Sequence, residues 1–121
     1  MCSSRRRRMV TVPANSGGND QGEPTVPIVA VFEFPGEDVV KYHKVFEIGG
    51  RPITDQPKRL NHICYRTNGG FTVVDLWEDE ASFAAFGEVI GPAAAGAGLD
   101  AKPMVHALEG TITQDGVWTT Y

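Results

Sequence analysis

His62 and Asp75 lie on either side of Asn68-Gly69, and their spacing predicts that they meet. Asn-Gly favours the positive φ angles of a two-residue type I′ turn, so the flanking runs read as a hairpin. With Asn68 and Gly69 as the loop, Thr67 faces Gly70, Arg66 faces Phe71, Cys64 faces Val73, His62 faces Asp75 and Leu60 faces Trp77. A carboxylate beside an imidazole fixes its tautomer and orientation, the arrangement of a general base working near neutral pH. Such a base removes a proton from an activated phenol or from a carbon next to a carbonyl. It would serve cofactor-free oxygenation, in which a substrate carbanion meets dioxygen, and equally aldol-type cyclisation or isomerisation. The same pair also fits a structural role, a cross-strand polar contact worth roughly 0.2–1 kcal/mol. A three-residue loop would instead place His62 opposite Leu76 and dissolve the pair.

Around this pair, Trp77, Phe32 and Phe34 would make an aromatic wall suited to a flat apolar ligand. Phe71, close to the turn, reads as ordinary core. Cys64 shares the His62 face; without a base at a known spacing it reads as a small buried side chain that could touch a ligand. His106, on the last predicted strand, is a further candidate for ligand contact. His43 reads as a core or surface histidine. Nothing in the spacing of His43, His62 and His106 supports a metal site. No Gly-rich phosphate loop occurs: Gly69-Gly70 belongs to the hairpin, and Gly96-Ala97-Gly98 ends a helix rather than opening one. No metal or cofactor is therefore expected.

The elements that must position these residues are legible in outline. Residues 1–25 are rich in Ser, Asn, Gly, Pro and Arg without an apolar period, and read as a disordered tail. Val26–Phe34 is a β-branched and aromatic run of strand length, with Pro27 tolerable only near its start. Glu37 and Asp38 open a helix in which Val39, Val40, Tyr42/His43 and Phe46 supply the apolar face, and Gly49-Gly50 stops it. A loop, Arg51–Arg59, leads to the hairpin. Glu78-Asp79-Glu80 opens a second amphipathic helix, expected to break at Gly91-Pro92 with one more short turn beyond. Lys102–Glu109 is a fourth strand, and residues 111–121 a further strand or arm. The order β-α-β, β-α-β predicts an α+β, ferredoxin-like domain over residues 26–110, with an antiparallel sheet and both helices on one face.

Bulk composition fits one soluble domain. The chain has 121 residues, 41% apolar and 21% charged. The formal charge of −4 is uneven. Arg5–Arg8 hold four of the eleven basic residues, and from Pro24 onward seven basic residues stand against thirteen acidic ones, a balance of −6. An acidic body argues against nucleic acid or an anionic membrane as the main partner. The arginine run resembles the start of an export signal, but MVTVPANSGGND follows where an apolar stretch is required. No stretch approaches a membrane span. Two cysteines, Cys2 and Cys64, make no disulfide framework, and reduced thiols fit a cytoplasmic protein.

Alternation assigns Ile63, Tyr65, Val74 and Leu76 to one face of the sheet. Leu60, His62, Cys64, Val73, Asp75 and Trp77 fall on the other. Both faces carry apolar surface and two helices cover one, so the other calls for a partner. A second copy meets this by self-complementarity. The expectation is a homodimer joined through the sheet face, with the His62 face lining the cavity between the two sheets.

The run HICYRTNGGFTVVDLWEDEASFAAF, followed by GPAAAGAGL, resembles the dimeric α+β barrel superfamily that includes antibiotic-biosynthesis-monooxygenase-like domains. It is similar above all to small bacterial members to which no reaction is assigned, and the likeness covers roughly Ile28 to Glu109. The resemblance implies a fold more than an activity, since the superfamily includes cofactor-free monooxygenases, haem-degrading enzymes and polyketide cyclases. It implies that Trp77 borders the cavity. Haem-degrading relatives need a histidine on the helix after that tryptophan and an asparagine on the first strand. Here no histidine lies between Trp77 and His106, and Ala30 stands near the asparagine's place, so haem degradation is not implied.

Overall fold

The computed structural model describes residues 25–121. The Arg5–Arg8 run and the predicted tail, apart from Thr25, lie outside those residues. The described chain forms two compact units, one of Pro27–His106 and one of residues 25–26 with 107–121.

The first unit contains β1 (Ile28–Pro35), α1 (Val40–Gly49), α2 (Arg51–Thr54), β2 (Arg59–Thr67), β3 (Gly70–Trp77), α3 (Glu80–Gly96) and β4 (Pro103–Ala107). Its four strands form one antiparallel sheet in the order β2-β3-β1-β4, the ferredoxin-like arrangement. The second unit is a separate hairpin of β5 (Gly110–Ile112) and β6 (Trp118–Thr120), with Ile112 opposite Trp118.

The hairpin forms at the Asn-Gly turn, and Gly69 takes the left-handed φ of +85° that the turn requires. Thr67↔Gly70, Arg66↔Phe71, Cys64↔Val73 and His62↔Asp75 pair as predicted. Leu60↔Trp77 does not. A β-bulge between Arg59 and Asn61 puts Arg59, not Leu60, opposite Trp77. The extra residue bends the strand and carries the Arg59 side chain to the inner face. Gly70 lies where a Cβ atom would collide with the Phe34 carbonyl oxygen. This close approach lets β1 follow β3 without interruption from Ile28↔Trp77 to Pro35↔Gly70.

α1 begins later than its acidic residues suggest. Asp38 precedes the first turn and accepts the Val40 N–H at 2.9 Å, and Glu37 pairs with Lys41 at 2.6 Å. The expected loop after it contains the short α2, which buries Ile53. α3 starts at Asp79, whose side chain caps the Ser82 N–H at 2.7 Å. It does not break at Pro92. The helix runs through to Gly96, because the alanines beyond the proline are strong helix formers and Ala93 and Ala94 are buried on the core. Those contacts outweigh the donor that proline lacks.

The core lies between the inner sheet face and the helices. Ile28, Ala30, Phe32 and Phe34 of β1 and Phe71, Val73, Asp75 and Trp77 of β3 are all buried there, under Val45, Ile53 and Phe86. The expected placement of the His62 face between two subunits is therefore corrected: it is covered by the chain's own helices. Ile63 and Tyr65, about half exposed, belong to the outer face. Periodicity shows which residues share a face but not which face the helices choose, and here both faces are apolar.

Candidate functional site

Three consecutive inner positions of the hairpin, and one residue from α1, build a chain of polar groups inside this apolar layer. Asp75 is buried, its side chain 3% exposed. A carboxylate placed there is costly unless donors surround it. Trp77 supplies one, its Nε1–H pointing to Asp75 Oδ2 at 3.4 Å. His62 supplies the other, with Nδ1 at 2.5 Å from Asp75 Oδ1. The far side of the imidazole meets the Tyr42 hydroxyl, at 2.8 Å from Nε2. Tyr42 and His62 also stack, with ring centroids 5.8 Å apart and planes 10° from parallel.

These partners set the proton positions. An ionised Asp75 only accepts, so Nδ1 of His62 carries a hydrogen; neutral His62 then accepts the Tyr42 O–H on Nε2. Once protonated, His62 donates back to the Tyr42 oxygen. Burial, followed by the nearby Cys64 and Asp75, pushes the Tyr42 phenol up, while Arg59 pulls it down; the net shift is upward. Tyr42 is therefore a neutral donor at neutral pH, and a proton taken up at its oxygen passes to His62 as its own leaves.

Tyr42, His62 and Asp75 all line an inner cavity of about 50 Å3. Its remaining wall is almost wholly apolar, with Phe32 and Phe34 from β1 and Phe46 and Phe86 from the helices; Arg59 is the exception. On their other side, Tyr42 and His62 form part of a second, more polar cleft of about 250 Å3 between α1 and the edge strand β2. His43, Cys64 and Arg66 line that cleft. Two rings thus stand in the walls of both spaces.

The sequence candidates divide accordingly. Phe32 and Phe34 line the inner cavity, extended by the Phe34–Phe71 stack at 4.8 Å. Trp77 lies behind the wall rather than in it, fully buried against Phe83 and Phe86, where it holds Asp75. Cys64 borders the outer cleft, and burial pushes its thiol up, which leaves it a poor nucleophile at neutral pH. His106 is exposed on β4 and lines neither of these two spaces. Its strand carries it to the surface at every residue. Among the described residues, no group of three or more His, Cys, Asp or Glu is placed to hold a metal ion.

Sequence reasoning missed Tyr42 and Arg59. Tyr42 counted as part of an apolar helical stripe, and its spacing from Phe46 gave no hint that its hydroxyl reaches a strand. Arg59 counted as the end of a loop, because the bulge that turns it inward leaves no signal in a period-two pattern.

No protein-family model matches the chain, and no curated protein matches it in sequence. Solved structures do match in shape. MupZ from Pseudomonas fluorescens superposes with a TM-score of 0.55 at 13% identity, over 73% of this chain and 73% of that one. SnoaB, a cofactor-independent oxygenase from Streptomyces nogalater, gives 0.53 at 15% identity, over 74% of this chain and 97% of that one. The chain thus shares a ferredoxin-like α+β fold with these two proteins, the fold that its element order predicted. No described helix is long and apolar enough to cross a membrane.

Proposed function

We propose that this protein binds a small apolar or aromatic molecule and removes a proton from it, through Tyr42 and His62 with Asp75 as the fixed counter-charge. The observation that carries this reading is the Trp77–Asp75–His62–Tyr42 chain, which ends on an apolar cavity. A structural cross-strand pair accounts for the Asp75–His62 contact but not for the Tyr42 hydroxyl on Nε2 or for the cavity at its end. The substrate reaches Tyr42 and His62 from the outer cleft, and the two spaces on either side of these rings together come to about 300 Å3, the lower end of the range for small-molecule sites.

Cofactor-independent oxygenation follows naturally from such a site. The base takes one proton from a substrate methylene, and the carbanion reacts with dioxygen; a methylene and dioxygen become a carbonyl and water, with every electron supplied by the substrate. The likeness in fold to SnoaB supports this branch. Cyclisation or isomerisation uses the same base without dioxygen. A non-catalytic module is the second reading, favoured by the inner cavity's volume of about 50 Å3, small beside the usual range of small-molecule sites.

The test is proton exchange on β-tetralone, whose methylene between ring and carbonyl is acidic. In heavy water the protein is expected to accelerate deuterium uptake there, as followed by NMR. An uptake rate equal to that of buffer contradicts the reading and leaves the non-catalytic module. Oxygen consumption during the same reaction separates oxygenase from cyclase or isomerase chemistry.

We further infer a homodimer through the outer sheet face, in the cytoplasm. Support comes from the exposed Ile63 and Tyr65 beside the half-buried Val31, Val74 and Leu76. Sedimentation at micromolar concentration is expected to give twice the chain mass; a monomer contradicts it.

A further inference from the structure

We infer that Arg59 is the anion-binding group of the inner cavity, so that the substrate is an enol, phenol or similar molecule whose oxygen carries the negative charge once its proton is gone. This deepens the reading above and rests on it.

Regular pairing would put Leu60 opposite Trp77 and extend the apolar wall, whereas the extra residue puts Arg59 there. Bulges recur beside binding sites because they redirect one side chain without disturbing the rest of the strand. The guanidinium lies above two rings, 5.8 Å from the Trp77 centroid and 5.4 Å from that of Phe86. Such stacking orients a planar cation and lessens its exposure to water. Nη2 is tied to main-chain carbonyls, at 2.9 Å from Ile53 O and 3.4 Å from Thr54 O. Among the described residues no carboxylate pairs with Arg59. Its Nε and Nη1 donors likewise have no acceptor there.

A held arginine in an apolar wall, with donors to spare, is a site for an oxyanion. The other charge in the wall does not satisfy it, because the oxygens of Asp75 are taken by His62 and Trp77. Arg59 nonetheless stands close enough for its charge to act on the Tyr42 phenol. The cavity therefore presents a proton acceptor and a fixed cation to one small space. When a proton leaves carbon or oxygen for the Tyr42–His62 relay, the electron pair moves onto the substrate oxygen, and that oxygen is what Arg59 holds. The two groups divide the work: the relay takes the proton and the guanidinium takes the charge.

Equilibrium dialysis with two probes of the same shape tests this: para-nitrophenol at a pH where it is ionised, and neutral para-nitrotoluene. The wild-type protein is expected to bind the phenolate roughly tenfold more tightly than the toluene, as a charge-assisted hydrogen bond allows. Arg59→Gln is expected to remove that preference while leaving toluene affinity unchanged; Arg59→Lys keeps part of it, and His62→Gln keeps most. Equal binding of both probes by the wild type, or a preference that survives Arg59→Gln in a folded variant, overturns the assignment while leaving the ligand-binding reading intact. Failure of the wild type to bind either probe overturns both.

Discussion

Replacing His62 by alanine is expected to lower the rate of deuterium uptake into β-tetralone by about 10²–10⁴-fold, the usual contribution of a positioned general base. The loss is that large because the relay has no second route. Tyr42 has a raised pKa and is protonated at neutral pH, so it accepts a proton only if it passes its own to Nε2. Asp75 stands one imidazole beyond Tyr42, on the far side of His62. The variant should still fold. The His62 side chain is 24% exposed, and its removal leaves one carboxylate oxygen without its donor, a cost of about 1–3 kcal/mol. Free imidazole added to the medium is expected to restore part of the rate, which a structural role for His62 would not allow. A His62→Ala chain that exchanges at the wild-type rate would remove the base from the account.

The largest effect on stability is expected at Trp77. Trp77→Ala should reduce the free energy of unfolding by about 3–5 kcal/mol, measured by circular dichroism in urea with an unchanged slope. The side chain is fully buried and lies at the meeting point of the layers. It packs on Phe83 and Phe86 from α3, carries the Arg59 guanidinium, and donates to Asp75. Trp77→Phe separates these roles. It keeps most of the packing and loses the N–H, so its stability cost should be well below that of alanine while the exchange rate still falls. A Trp77→Ala chain as stable as wild type would mean that the inner face is not the core.

How much of this was legible depended on which signals are local. The Asn68-Gly69 turn dictates its own geometry, so the pairs from Thr67↔Gly70 to His62↔Asp75 follow from two residues. The element order led to the fold in the same way, and the acidic start at Asp79 marked the helix that it caps. What remained hidden was decided by distant contacts. The side of the sheet that the helices cover could not be read, because Ile63 and Tyr65 are as apolar as Val73 and Trp77. Residue types therefore suggested a cavity between subunits, where the chain closes one beneath its own α1. Pro92 pointed to a break that the burial of Ala93 and Ala94 overrides. The bulge at Leu60 changed one cross-strand partner and, with it, the electrostatics of the cavity.

The relay depends on the position of one proton. If Asp75 is the ionised acceptor at the closed end of the chain, neutral His62 carries its hydrogen on Nδ1 and leaves Nε2 bare for Tyr42. Nitrogen-15 NMR of the imidazole in its neutral form measures this directly. The expected result is a protonated Nδ1 with its N–H proton far downfield, lost on Asp75→Ala, and an unprotonated Nε2. A hydrogen on Nε2 with Nδ1 bare would contradict the relay, and with it the proposed chemistry.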